Sequence, residues 1–167
     1  MNNYTIEKWT WSHEDFEQMG WHDATIHAMA FLPETFEFAL DLDYIFDWIE
    51  PSANQTYYNF LVSPVTLVFE NVNDLDIDLS PNSLLQLQNI ERLDSRKPRN
   101  ADHVKQQTEW QWKLDSDSGV ISFWSIGFKQ FIRQAPLLVQ GQALSLDNRG
   151  GFSFCRGQEK GGNPKCR

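Results

Sequence analysis

From residue 36 to residue 48 the chain alternates strictly. Phe36, Phe38, Leu40, Leu42, Tyr44, Phe46 and Trp48 stand against Glu37, Ala39, Asp41, Asp43, Ile45 and Asp47. Successive side chains of an extended strand point to opposite faces, so this run predicts a long strand with one apolar side and one acidic side. Thirteen residues exceed the usual strand length, which predicts a bulge or bend within it. The acids lie opposite a full apolar row, so their side of the sheet is expected to face water.

Other segments carry weaker versions of the same signal. Residues 25–31 precede the long run, and Leu32-Pro33-Glu34-Thr35 reads as a hairpin connection. Residues 65–69 are almost wholly apolar, as in a central strand. Leu75, Ile77 and Leu79 alternate with Asp74, Asp76 and Asp78, giving a short strand with acids outward. Residues 83–93 fit helix or strand, with a lean to strand. Residues 94–107 hold bases and no apolar period, and read as a loop. Residues 109–114 and 120–128 flank Asp115-Ser116-Asp117-Ser118-Gly119, a hairpin connection ending in glycine. Residues 137–146 supply a last strand. Ser12 and Asp15 form a capping box that opens a short helix, Gly20 stops it, and Phe16 and Met19 share its inward face.

The sum is an α+β, predominantly β fold: an antiparallel sheet or two-layer sandwich of seven to eight strands with a short N-terminal helix. With 167 residues and 19.5 kDa, one domain over 1–150 is expected. Residues 151–167 are expected to be a Gly-rich basic tail without a core of their own, and therefore mobile. Seven Trp, 12 Phe and 4 Tyr are accounted for mainly by core packing, with Trp48, Trp110 and Trp112 in phase with apolar neighbours. Trp9, Trp11, Tyr57 and Tyr58 lie in less regular segments and are the aromatics best placed for exposure.

Net charge is −9, but the two halves differ sharply. Residues 1–91 hold 16 acids and one base, Lys8, for −15; residues 92–167 hold 7 acids and 13 bases, for +6. Such a division means internal pairing of the halves, two oppositely charged surfaces, or interleaving without consequence. The start has no basic region followed by an apolar one, so no secretory signal is expected. The longest apolar stretch, residues 60–69, is half of what a membrane helix needs. A soluble, cytoplasmic protein is the expectation, with no membrane partner. In a reducing compartment Cys155 and Cys166 should be free thiols, and without a nearby His they do not make a zinc site.

Chemical motifs are thin. His22-Asp23, with His27 following, is similar to the His-Asp metal pair of phosphohydrolases, although that pair is presented from helices and this one opens a strand. The bland alternative is a turn in which His22 and Asp23 satisfy the backbone or each other. Asp74-Leu75-Asp76-Ile77-Asp78 begins like a calcium loop, but Leu79 and Leu85 stand where glycine and glutamate belong. The acids on a wet face lack the desolvation that general acid catalysis needs. Neither a nucleophile elbow nor a phosphate-cradling loop is present. No catalytic residue, metal site or cofactor is therefore assigned. Nucleic acid is disfavoured as a partner, because the acidic half repels phosphate.

Gly20-Trp-His-Asp-Ala-Thr-Ile26, Leu40-Asp-Leu-Asp-Tyr-Ile-Phe-Asp-Trp48, Ser63-Pro-Val-Thr-Leu-Val-Phe-Glu-Asn-Val-Asn-Asp-Leu75 and Gly119-Val-Ile-Ser-Phe-Trp124 together resemble a family of small bacterial proteins of unknown function. The likeness covers about residues 20–150. More distantly, the chain is similar to immunity-type proteins of bacterial toxin systems, which implies a β-rich inhibitor that acts by binding. The resemblance transfers no catalytic residue.

The leading expectation is a non-enzymatic interaction protein, immunity-like, that meets a basic protein through an acidic sheet face. Its candidate binding residues are Asp41, Asp43, Asp47, Asp74, Asp76 and Asp78, with Trp21, His22 and Asp23. Two alternatives stand beside it. One is a small metal-dependent hydrolase built around His22, Asp23 and His27. The other is a homo-oligomeric module in which the acids of one copy meet the basic loop and tail of another.

Overall fold

A computed structural model describes residues 4–157. Its strands are β1 (Thr10–Ser12), β2 (Thr25–Leu32), β3 (Glu37–Ile49), β4 (Asn59–Glu70), β5 (Asn73–Leu79), β6 (Leu85–Arg96), β7 (Glu109–Ser116), β8 (Gly119–Ser125), β9 (Gly127–Ile132) and β10 (Leu137–Val139). Helix is scarce: a 3₁₀ helix at His13–Gln18 and a single turn, α1, at Leu146–Arg149. All pairings are antiparallel. The order across the sheet is β1-β9-β4-β3-β2-β6-β7-β8-β5, with β10 against β4. The predominantly β reading holds, with ten strands among the described residues rather than seven or eight. β1 lies before the first strand expected, and the run 120–128 divides into two.

That division has a local cause. β8 ends at Ser125 and β9 starts at Gly127, whose φ is 146°, a region that residues with a Cβ rarely adopt. A Cβ on Gly127 would fall 2.2 Å from His13 Nδ1. The chain there passes from one half of the sheet to the other, and Ser125 Oγ holds the corner by donating to the Glu70 carbonyl at 2.6 Å.

β2 and β6 share two residue pairs, Thr25 with Gln86 and Ile26 with Leu85. Around this short seam the sheet doubles over, so that the inward rows of β3, β4 and β9 meet those of β6, β7 and β8. Phe69 lies 4.7 Å from Phe123 and 5.4 Å from Trp112, centroid to centroid, and Phe38 lies 5.6 Å from Phe123. These edge-to-face contacts use the ring quadrupoles favourably. The capped 3₁₀ helix closes one end, with Phe16 stacked 5.8 Å from Trp21 and edge-on to Trp112.

Pro64 sits inside a central strand, where a missing N–H would normally break a ladder. On one side of β4, however, β10 pairs residues 60–62 and β9 pairs residues 65–70. Pro64 falls between the two neighbours, and its carbonyl accepts from Arg133 N at 3.1 Å. A second small core forms on the outer side of the β3–β4 pair from Ile45, Phe60, Val62 and Leu144, with Val139 beside it.

Candidate functional site

The odd row of β3 does not face water. Asp41 and Asp43 are both completely buried. The segment from residue 133 to residue 157 crosses the outer face of β3 and β4 and supplies their partners. Arg149 grips Asp41 through two nitrogens, at 3.0 and 2.6 Å, and reaches Asp43 through Nε at 3.2 Å. Arg133 Nη2 donates to Asp41 at 2.7 Å, and the Ser153 N–H donates to it at 2.9 Å. Asp43 Oδ2 accepts from Leu144 N and from His27 Nε2, each at 2.8 Å. A carboxylate only accepts, so His27 carries its proton on Nε2 toward Asp43.

Two carboxylates and two guanidiniums balance in charge, and the forked geometry suits Arg to this role. Burial would push the Asp43 carboxyl up, but the hydrogen bonds from His27 and Leu144 and the Arg149 charge outweigh it and hold the group below its ordinary value. Burial likewise works against the Arg149 cation, and Asp41 and Asp43 more than compensate, holding its pKa above the usual one. A carboxylate so held is neither a proton donor nor an open ligand. Its work is to fasten the C-terminal segment to the sheet.

Residues 151–157, expected in a mobile tail, are part of this cover. Arg149 donates to the Gly151 carbonyl at 2.6 Å, Thr66 Oγ1 donates to the Cys155 carbonyl at 2.6 Å, and Arg156 pairs with Glu37. Cys155 is buried and disulfide-bonded, not the expected free thiol. Cys166 and the rest of the basic tail lie outside the described residues.

The acidic platform is therefore dispersed. Asp41 and Asp43 belong to the interior. Asp74, on the sheet-edge strand β5, is held by Arg99 at 2.8 Å and by Arg96 at 3.4 Å. Asp76 and Asp78 are exposed on that edge, far along the strand order from β3. Asp47 is exposed at the far end of β3. The charge division between the halves resolves in part as internal pairing. Glu17, Glu37, Asp41, Asp43, Glu70, Asp74 and Glu91 each meet a base from the second half.

Trp21, His22 and Asp23 form a turn with divided roles. Trp21 is buried and donates its indole N–H to Gln130 Oε1 at 2.9 Å. Asp23 adopts a φ of 64° and accepts from Gln142 Nε2 at 2.7 Å, while His22 Nδ1 lies 3.1 Å from its carboxylate. His22 points out, its side chain 64% exposed. His27 is engaged with Asp43, and among the described residues no three His, Cys, Asp or Glu side chains gather to hold a metal.

One outward patch has the composition of a recognition surface. The β3–β4 register slips between Ile45 and Asp47, a bulge that reverses the phase of the strand end. Trp48, expected in the core row, is thereby carried to the outer side. It lies 5.2 Å from Phe60, 6.3 Å from Tyr58 and 6.2 Å from His22, and is 43% exposed. Tyr57, next to Tyr58 in the chain, is 77% exposed, and Glu50 is exposed two residues after Trp48; Asp47, opposite Leu61 in the register, takes the other face. Neither acid has an ion-pair partner among the described residues. Tyr57 and Tyr58 were legible as exposed aromatics; Trp48 was not, because its signal depended on an uninterrupted alternation.

No family model, no curated protein and no solved structure matches the chain. No helix among the described residues is long and apolar enough to cross a membrane.

Proposed function

We propose that this chain is a non-enzymatic protein-binding module of the immunity type, which receives a basic partner on the patch at the end of β3 and β4. The observation that carries this reading is the cluster of exposed rings Trp48, Tyr58 and His22, with Tyr57 and Glu50 exposed close by in the chain. Binding anchors are enriched in Trp and Tyr, and exposed contiguous aromatics are uncommon on a surface with no partner. The Glu50 carboxylate attracts a cationic surface and helps fix its orientation. The acidic face first expected is replaced by this smaller one, since Asp41 and Asp43 have their cations within the chain. The oligomer alternative receives less support, because Arg96 and Arg99 of the basic loop are engaged by Asp74 and Glu109.

The test is affinity capture from a lysate of the source cells, read by mass spectrometry. A retained protein of high isoelectric point should be lost with Trp48→Ala and weakened with Glu50→Lys. It should be kept with Asp76→Lys, which changes charge elsewhere by the same amount. Anchors of this kind weaken binding about ten- to thirtyfold on truncation. Retention indifferent to the patch variants overturns the reading.

A further inference from the structure

β5 closes the strand order and pairs only with β8, so its second edge is open. The other border strands, β1 and β10, have three residues each, whereas β5 has seven. An open edge of that length presents unpaired N–H and C=O groups and is a template for a further strand.

The two rows of β5 differ. Ile77 stands opposite Ile121 and Leu79 follows two residues on, so this row faces the aromatic interior. Ile121 is buried, yet Ile77 is 46% exposed, because β5 has no neighbour beyond it. β2 repeats the pattern. Its residues 28–32 pair with β3 alone, and Phe31, opposite the buried Phe38, is 46% exposed. Phe38 meets Phe123 of β8, so both half-covered residues border one core, and β2 and β5 are not paired across it.

The outer row decides what kind of strand fits. Asp76 and Asp78 stand opposite Ser122 and Val120, are exposed, and have no ion-pair partner among the described residues. Lys113, beyond Ser122 in the row of Asp76, is engaged by Asp115 at 3.0 Å. Across a strand pair like charges repel and opposite charges stabilise. The two acids therefore turn away the β5 edge of a second copy and admit a strand whose outward side chains are cationic.

We propose that the open edge of β5 takes up an extended basic segment of another protein as an added strand. Its lysines or arginines would stand opposite Asp76 and Asp78, and the aliphatic side chains between them would pack beside Ile77. In such additions main-chain hydrogen bonds supply affinity and alternate side chains supply choice. A slip of one residue would turn the cations onto the core, so the alternation fixes the register. This surface is separate from the Trp48 patch and does not rest on it.

Fluorescence anisotropy of the full chain with labelled peptides tests this. Lys-Val-Lys-Ile-Lys-Val-Lys should bind, and the β5 amides should gain protection from hydrogen exchange. The same peptide N-methylated throughout keeps every charge but has no amide to donate, and should bind at least about tenfold more weakly. Asp76→Lys/Asp78→Lys should weaken the unmethylated peptide about tenfold with an unchanged melting temperature, and Trp48→Ala should leave it unaffected. Equal binding of the N-methylated peptide reduces the contact to charge and overturns the added strand. Binding indifferent to the aspartate variant, or lost with Trp48→Ala, puts the peptide elsewhere and overturns the site. Absence of binding overturns it too, as does a dimer in light scattering that the peptide dissociates, which would give the edge to a second copy.

Discussion

Asp43 and Asp47 sit four residues apart on β3, yet one is sealed under the C-terminal segment and the other stands in water beside Trp48. Asp43 belongs to a closed set of charges with Asp41, Arg133 and Arg149, to which His27 adds a hydrogen bond. Among the described residues Asp47 accepts only from the neighbouring Trp48 N–H, at 2.9 Å. The difference teaches that alternation reports which side of a sheet a residue takes, and not whether that side is covered. The cover comes from residues about a hundred positions away, and the reversal of phase from one inserted residue.

The largest expected effect breaks the sealed set. Arg149→Ala leaves two buried carboxylates short of a cation and should destabilise the fold by about 3–5 kcal/mol, read by urea denaturation. Replacing the four charges together, as Asp41→Leu/Asp43→Leu/Arg133→Met/Arg149→Met, should recover most of that loss, because apolar substitutes of similar volume avoid the desolvation penalty. If Arg149→Ala unfolds no more easily than wild type, the set is not a fastening.

Acid titration sharpens the comparison. The folded-state pKa of Asp43 lies below its unfolded value, so its contribution is fully present above about pH 4 and disappears as pH falls through the folded value. Asp43→Asn should therefore flatten the acid limb of the stability curve. An acid limb as steep as that of the wild type would show that Asp43 contributes nothing to it.

Smaller effects belong to the exposed end. Trp48→Ala loses contacts with Phe60 and Tyr58 and should reduce stability by about 1 kcal/mol, measured thermally, while removing partner capture. Asp47→Asn should change stability by less than about 0.5 kcal/mol, as surface substitutions do.

Much of the fold was legible, because alternation is a local signal. The strands at β2, β3, β5 and β7, the Ser12–Asp15 cap and the inward Phe16 follow from spacing alone, and the ambiguous 83–93 run lies almost wholly within β6. The β8–β9 corner was missed because Gly127 offers its backbone freedom without announcing a turn. Of the candidate residues, His22 lies in the exposed patch and Trp21 anchors the turn that carries it, while Asp47 is exposed on the other face of the strand end. Asp41 and Asp43 were assigned to water because nothing near them in the chain shows what covers them. The imbalance of charge between the halves was the available signal, and internal pairing was one of its readings.

Fastening a central strand with residues that come so late has a consequence for synthesis. Arg149 and Ser153 lie 108 and 112 positions after Asp41. While the chain is still emerging from the ribosome, the aspartates of β3 have no guanidinium to receive them, and the sheet can close around its aromatic interior but not over its back. Closure of long-range pairings is slow, so the nascent chain should remain protease-sensitive along β3 and β4 until Arg149 has left the exit tunnel, and protection should then arrive in one step.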